Sequence, residues 1–194
     1  MCMRKIKIHP SFIIVWLLFL LSDKSTYILY LFLAASIHEI AHIAAFISFN
    51  AQIKEINILP FGIGVKLQSA ALSYKREILA ALAGPSANGL IAVLFSLISD
   101  KYAAGLQFFI VCNTALALIN LLPIYPLDGG RAMYFLICNI ENPLTAKRIS
   151  LWSSLILLLP LFAVSIWILW ATGYNFSLLL IVFYLLFYLL CKKY

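Results

Sequence analysis

Long apolar runs, broken by short charged or turn-forming segments, recur along the whole chain. Six can be delimited, from Ser11 to Ser22, Thr26 to Phe49, Ile78 to Ser99, Ala103 to Leu122, Ile149 to Ala171 and Phe176 to Cys191. Most approach the roughly 20 residues that a helix needs to cross a bilayer. The first is shorter, and either draws on Ile6 to Pro10 or crosses locally thinned lipid. The pattern predicts an all-α polytopic membrane protein of about six transmembrane helices. The connection over residues 52–70 is different. Its partial alternation and β-branched residues, with breaks at Pro60, Gly62 and Gly64, predict a short β-hairpin or re-entrant loop near the cytoplasmic surface. Such backbone is tolerated at membrane depth only where protein buries it or it lines a wet cavity.

Composition strengthens this picture. Of 194 residues, 64% are hydrophobic and 11% charged, whereas a soluble domain carries about 45–50% apolar and about 25% charged residues. The net charge of +7 would also suit nucleic acid or acidic lipid, but its distribution favours topology. Twelve of the fourteen Lys and Arg fall in alternate loops: Arg4, Lys5 and Lys7; Lys54, Lys66, Lys75 and Arg76; Arg131, Lys147 and Arg148; Lys192 and Lys193. Lys24 and Lys101 each sit beside an aspartate. The positive-inside rule then puts both termini in the cytoplasm, and no nucleic-acid partner is expected. Cys2, Cys112, Cys138 and Cys191 lack metal-site spacing and imply no disulfide framework. The basic, apolar start lacks a small-residue cleavage site, so it is expected to remain as a span. No repeat, low-complexity tract or linker divides the chain, which predicts a single domain over residues 1–194.

The chemistry lies in the second run, which contains His38-Glu39-Ile40-Ala41-His42, an HExxH. Helical residues four apart share a face, so His38 and His42 can each aim a ring nitrogen at one cation. Glu39 is the neighbouring carboxylate able to take a proton from an attacking water. A chance HExxH arises in roughly one chain in a thousand of this length. A charge placed in mid-span also costs on the order of 2.5–3.5 kcal/mol, and a merely structural role does not account for that cost. A catalytic zinc normally takes three protein ligands. His9 lies at the first membrane boundary, whereas Asp128 ends the otherwise uncharged stretch Asn120 to Gly130 and is the favoured third ligand. Pro123 and Pro126 break the helix there, and Gly129 and Gly130 permit a tight turn. The competing role for Asp128 is a simple N-cap of a helix starting near Gly130.

HEIAH in the second run, GPSAN at Gly84 to Asn88 and NLLPIYPLDGGR at Asn120 to Arg131 resemble, in order and spacing, the three signatures of the site-2 protease family of intramembrane zinc metalloproteases. KIHPSF near the start and LPFGIGV at Leu59 to Val65 are similar to its sporulation branch, whose type member processes the inactive precursor of the late mother-cell sigma factor of endospore-forming bacteria. The resemblance implies a zinc metalloendopeptidase with one Zn2+ held by His38, His42 and Asp128, and with Glu39 as base. Asn120 would hydrogen-bond the substrate backbone or the developing oxyanion; its alternative role is a polar contact between helices. GPSAN is expected to interrupt the third span with irregular backbone, Gly84 and Pro85 being structural.

The resemblance further implies a membrane-associated substrate such as a pro-sigma factor, inhibitory membrane partners, and a place in the mother-cell membrane around the forespore. Branch members typically add a nucleotide-binding domain of the cystathionine-β-synthase type after the sixth span, and other branches insert PDZ domains. Neither is expected here, so the chain reads as a minimal catalytic core without ATP control through such a domain. The 52–70 hairpin is expected to hold the substrate in extended form by strand addition. Two other functions share these features: a zinc transporter or channel, against which Glu39 argues, and a non-catalytic regulator descended from a protease. His/His/Asp ligation suits zinc best and is also compatible with iron or cobalt.

Overall fold

In lipid, backbone N–H and C=O groups must be satisfied within their own segment, so apolar runs of this length wind into helices. The computed structural model describes residues 5–8, 10, 13, 17, 27–59, 62–67, 72–98, 104–174 and 176–191. Its elements, in order, are β1 (Lys5–Ile8), α1 (Tyr27–Ser48), β2 (Ile53–Leu59), β3 (Gly62–Leu67), α2 (Tyr74–Ser96), α3 (Ala104–Leu121), α4 (Asp128–Cys138), α5 (Pro143–Thr172) and α6 (Ser177–Cys191). Five of the six predicted spans correspond to α1, α2, α3, α5 and α6. The first, residues 11–22, lies outside the described residues except for Ile13 and Leu17, and His9 also lies outside them.

By length and composition, α1, α2 and α5 can each cross a membrane, while α3 and α6 carry shorter apolar stretches, Gly105–Leu121 and Leu178–Leu190. Helix α5 starts earlier than its apolar run because its first turn is polar and well capped. Pro143 opens it, and the Asn142 side chain accepts a hydrogen bond from Thr145 N–H at 2.8 Å. It ends at Gly173, which adopts the left-handed conformation, φ 74°. Exposed Trp152 and Trp170 on this helix are separated by about 27 Å along its axis. That is close to the roughly 30 Å of hydrocarbon between two aromatic belts.

The predicted hairpin is present: β2 and β3 pair antiparallel, with Ile56 opposite Val65 and Leu59 opposite Gly62. It belongs to a three-stranded sheet in the order β1-β2-β3. Strand β1 pairs parallel to β2, with Lys5 opposite Glu55 and Ile8 opposite Ile58, and Lys7 Nζ lies 3.2 Å from Glu55 Oε1.

Two compact units divide the chain, residues 1–119 and 120–194. In the first, α1 packs on α2. The buried residues of α1 are Ile28, Ala34, His38, His42 and Phe46, the last four forming a stripe with about one helical turn between neighbours. The facing stripe of α2 is built largely of small residues, Ala80, Ala81, Gly84, Pro85, Asn88 and Ala92, which lets the two backbones approach closely. Helix α2 runs without a break through Gly84 and Pro85, so the expected interruption at GPSAN is absent and the segment acts as a flat packing surface. Leu29, Leu33 and Ile40 on the outer side of α1 remain exposed, as lipid-facing side chains do.

In the second unit, Ile124 packs with Leu158 of α5 and with Val182, Leu185 and Leu189 of α6. The Pro123–Leu127 loop is tied to α5 by serines. Ser154 Oγ accepts from Tyr125 N–H at 2.9 Å and donates to Ser150 O at 2.7 Å, and Ser153 Oγ lies 3.3 Å from Pro123 O.

Candidate metal centre

On α1, the four-residue spacing of His38 and His42 places both rings in the buried stripe against α2, with 5% and 9% of their surface exposed. Their Nε2 atoms are 3.1 Å apart and the ring planes cross at 81°. The outer nitrogens are held from α2: His42 Nδ1 lies 2.7 Å from Ala80 O, and His38 Nδ1 lies 2.8 Å from Asn88 Oδ1. A backbone carbonyl only accepts, so His42 must donate from Nδ1, and in a neutral ring its Nε2 then carries the lone pair. Asn88 imposes the same polarity on His38, because its Nδ2 is committed as donor to Ala34 O at 3.1 Å and to Asn113 Oδ1 at 2.9 Å.

Two lone pairs directed at one small volume repel each other unless a cation lies between them. Zinc with imidazole ligands at about 2.0–2.1 Å in tetrahedral geometry holds the two nitrogens roughly 3.3–3.4 Å apart, close to the separation found here. Gly84 supplies the room. A Cβ on this residue would collide with His42 Nε2 and lie 2.8 Å from both Cε1 and Nε2 of His38. The donor chemistry and the missing side chain thus both fit a metal ion between the rings.

Glu39 follows His38 on α1 and is partly buried. Asn120 stands in the last turn of α3, also partly buried. Asp128, in the second unit, is buried in the first turn of α4, where the helix N-terminus favours a carboxylate. Arg131 Nη1 is 3.8 Å from Asp128 Oδ1. The alternative role as N-cap is not adopted: the cap position is Leu127, and Asp128 is already helical. Gly129 and Gly130 are helical as well rather than forming the expected tight turn. Their lack of side chains serves close approach instead. A Cβ on Gly129 would overlap Leu121 O and lie 2.7 Å from Leu122 O, and one on Gly130 would lie 2.5 Å from Ile124 O and Tyr125 N.

His38 and His42 are thus brought together as their spacing predicts; Asn88, named in the sequence only as the last residue of GPSAN, gains a partner here, and Asn113 and Ser154 enter as polar residues that sequence reasoning did not single out. A signal existed for Asn113: an amide in the middle of an apolar run is costly unless it is hydrogen-bonded.

Comparisons with known proteins bear on these residues. Residues 96–164, which include the Asn120–Arg131 segment, match Peptidase family M50. The chain is 32% identical over 155 residues to "Stage IV sporulation protein FB" of Bacillus subtilis, covering 78% of this chain and 54% of that protein. It is 25% identical over 140 residues to "Zinc metalloprotease MJ0392" of Methanocaldococcus jannaschii, covering 68% and 41% respectively. The chain therefore spans about half the length of the curated relatives it matches. Its fold is similar to the solved "Site-2 Protease from Methanocaldococcus jannaschii", with a TM-score of 0.69 and 20% identity over 96% of this chain and 90% of that one.

Proposed function

From the match of residues 96–164 to Peptidase family M50 and the 32% identity to the Bacillus subtilis sporulation protein, we propose that the chain is a member of that family, an intramembrane zinc metalloendopeptidase that hydrolyses a peptide bond in or near the membrane, releasing an active sigma factor from its pro-form during sporulation. The observation that carries this reading is the pair of His38 and His42 Nε2 atoms 3.1 Å apart, both rings oriented through Nδ1, with Glu39 adjoining the first ligand. Asp128 supplies the third ligand to a single ion; like the two histidines it is buried and offers one ligand atom. In this reading one catalytic domain takes in residues 1–194.

Zinc, when bound, polarises the scissile carbonyl and lowers the pKa of a water toward about 7. Glu39 accepts the proton of the attacking water and passes it to the leaving amine. Asn120 donates a hydrogen bond to the oxygen on which negative charge develops. A substrate helix hides its carbonyls in its own hydrogen bonds, so the scissile segment must first be extended. Strand β3 lies at one side of the described sheet and can take an added strand there. The proposed setting is the mother-cell membrane around the forespore, both termini cytoplasmic, with inhibitory membrane partners governing access. The similarity to the Bacillus subtilis sporulation protein supports this placement.

Co-expression with a precursor sigma factor tests the proposal, precursor and product being separated by size. Cleavage by the native chain but not by Glu39→Gln is expected. Equal processing by both proteins would refute hydrolysis through Glu39, and cleavage by neither would refute this substrate class.

A further inference from the structure

A hydrogen-bonded chain of amides runs from α3 through α2 to α1, and its direction is set at its ends. Asn113 Nδ2 donates to Phe109 O at 2.9 Å, and Asn88 Nδ2 donates to Ala34 O at 3.1 Å. Both end groups are backbone carbonyls, which only accept. Asn113 must therefore turn its Oδ1 toward Asn88, and Asn88 Nδ2 spends its second proton there. Turning the Asn88 amide over would set oxygen against two oxygens and forfeit both bonds. Asn88 Oδ1 is left as the atom that meets His38 Nδ1, and it can only accept.

We propose that Asn88, oriented by Asn113, is a positioning residue that locks His38 in the tautomer whose Nε2 presents its lone pair to the metal. The inference rests on the reading of His38 and His42 as zinc ligands. Both asparagines are wholly buried, 0% exposed, in helices otherwise rich in apolar side chains. If the pair were only an interhelical clamp, the Asn88–Asn113 and Asn88–Ala34 bonds would suffice. The acceptor directed at a ligand ring is the additional element. Groups that orient a metal-binding imidazole in this way fix its tautomer and raise its basicity. The two ligands differ in this respect: His42 is oriented by the Ala80 carbonyl, which no side-chain substitution removes, whereas His38 depends on a side chain.

The test uses the full chain in detergent micelles with its three histidines labelled at the ring nitrogens. In the metal-stripped native protein, His38 should carry its proton on Nδ1. In Asn88→Ala the proton should redistribute toward Nε2, and the zinc dissociation constant, measured by competition with a chromogenic chelator, should rise roughly 10–100-fold. Asn88→Leu fills the same space without an acceptor and should redistribute the proton as Asn88→Ala does, separating orientation from simple loss of packing. Asn113→Ala leaves Asn88 its anchor at Ala34 and should shift both readouts the same way by less; it replaces Asn88→Ala if that variant fails to fold. An Nε2–H His38 in the native chain would overturn the inference without any variant. So would a folded Asn88→Ala with native tautomer and zinc affinity. A native chain that binds no zinc would be recognised before any comparison of variants, and would defeat the metal reading together with this inference.

Discussion

Gly84 of α2 faces His42 of α1 so closely that a methyl group on Gly84 would overlap the Nε2 atom. The same methyl would stand 2.8 Å from His38 Nε2. Gly84→Ala should therefore push both rings off the point where their lone pairs converge. Zinc content of the purified variant should fall to a small fraction of the native value, with α-helical circular dichroism retained. Full zinc occupancy in Gly84→Ala would show that the rings can yield without loss of the site.

Glu39 and Asp128 should separate by readout. As a base, Glu39 is dispensable for holding the ion: Glu39→Gln should keep native zinc content while cleavage falls by at least roughly 10²–10⁴-fold. Asp128→Ala removes a proposed ligand and should lose zinc and cleavage together. Metal analysis beside a single-turnover cleavage assay distinguishes the two, and native zinc content in Asp128→Ala would remove it from the ligand set.

At the start of α4, Gly130 packs against the backbone of Ile124 and Tyr125 rather than against a flexible side chain. A small-to-large change there cannot be absorbed by a rotamer shift. Gly130→Ala should cost about 1–3 kcal/mol, seen as a lower unfolding temperature in micelles; an unchanged temperature would mean that the loop moves aside cheaply.

Ser154 is wholly buried and accepts from Tyr125 N–H. In Ser154→Ala the loop before Asp128 loses that acceptor, at a cost of about 1–3 kcal/mol. Proteolysis within residues 122–127 should be faster in the variant, whereas a native cleavage rate there would show that the remaining loop contacts suffice.

The residues legible in advance were those whose relationship is local. Spacing of four along a helix places His38 and His42 on one face whatever packs against them, and a long apolar run in lipid has no alternative to a helix. The hairpin was legible for the same reason, since only two residues of sequence separate β2 from β3. Strand β1 was not, because its parallel pairing with β2 joins residues 5–8 to residues 55–58 across a whole helix, and no local pattern records such a partner.

From sequence alone came the membrane class and the placing of His38 and His42 on one helix face beside Glu39, through periodicity and hydropathy. Tertiary structure decided what the small and amide residues are for. GPSAN read as a break became an unbroken helix whose Gly84 leaves space at the Nε2 atoms of His38 and His42. Gly129 and Gly130, read as a turn, became the place where a helix start meets a neighbouring backbone. Which ring nitrogen of His38 carries its proton depends on Asn88, and through it on Asn113 and Phe109 in another helix. A glycine's role depends on what occupies the space beside it, and an amide's on which groups it meets; both are properties of the neighbour, set only when helices distant in sequence pack together.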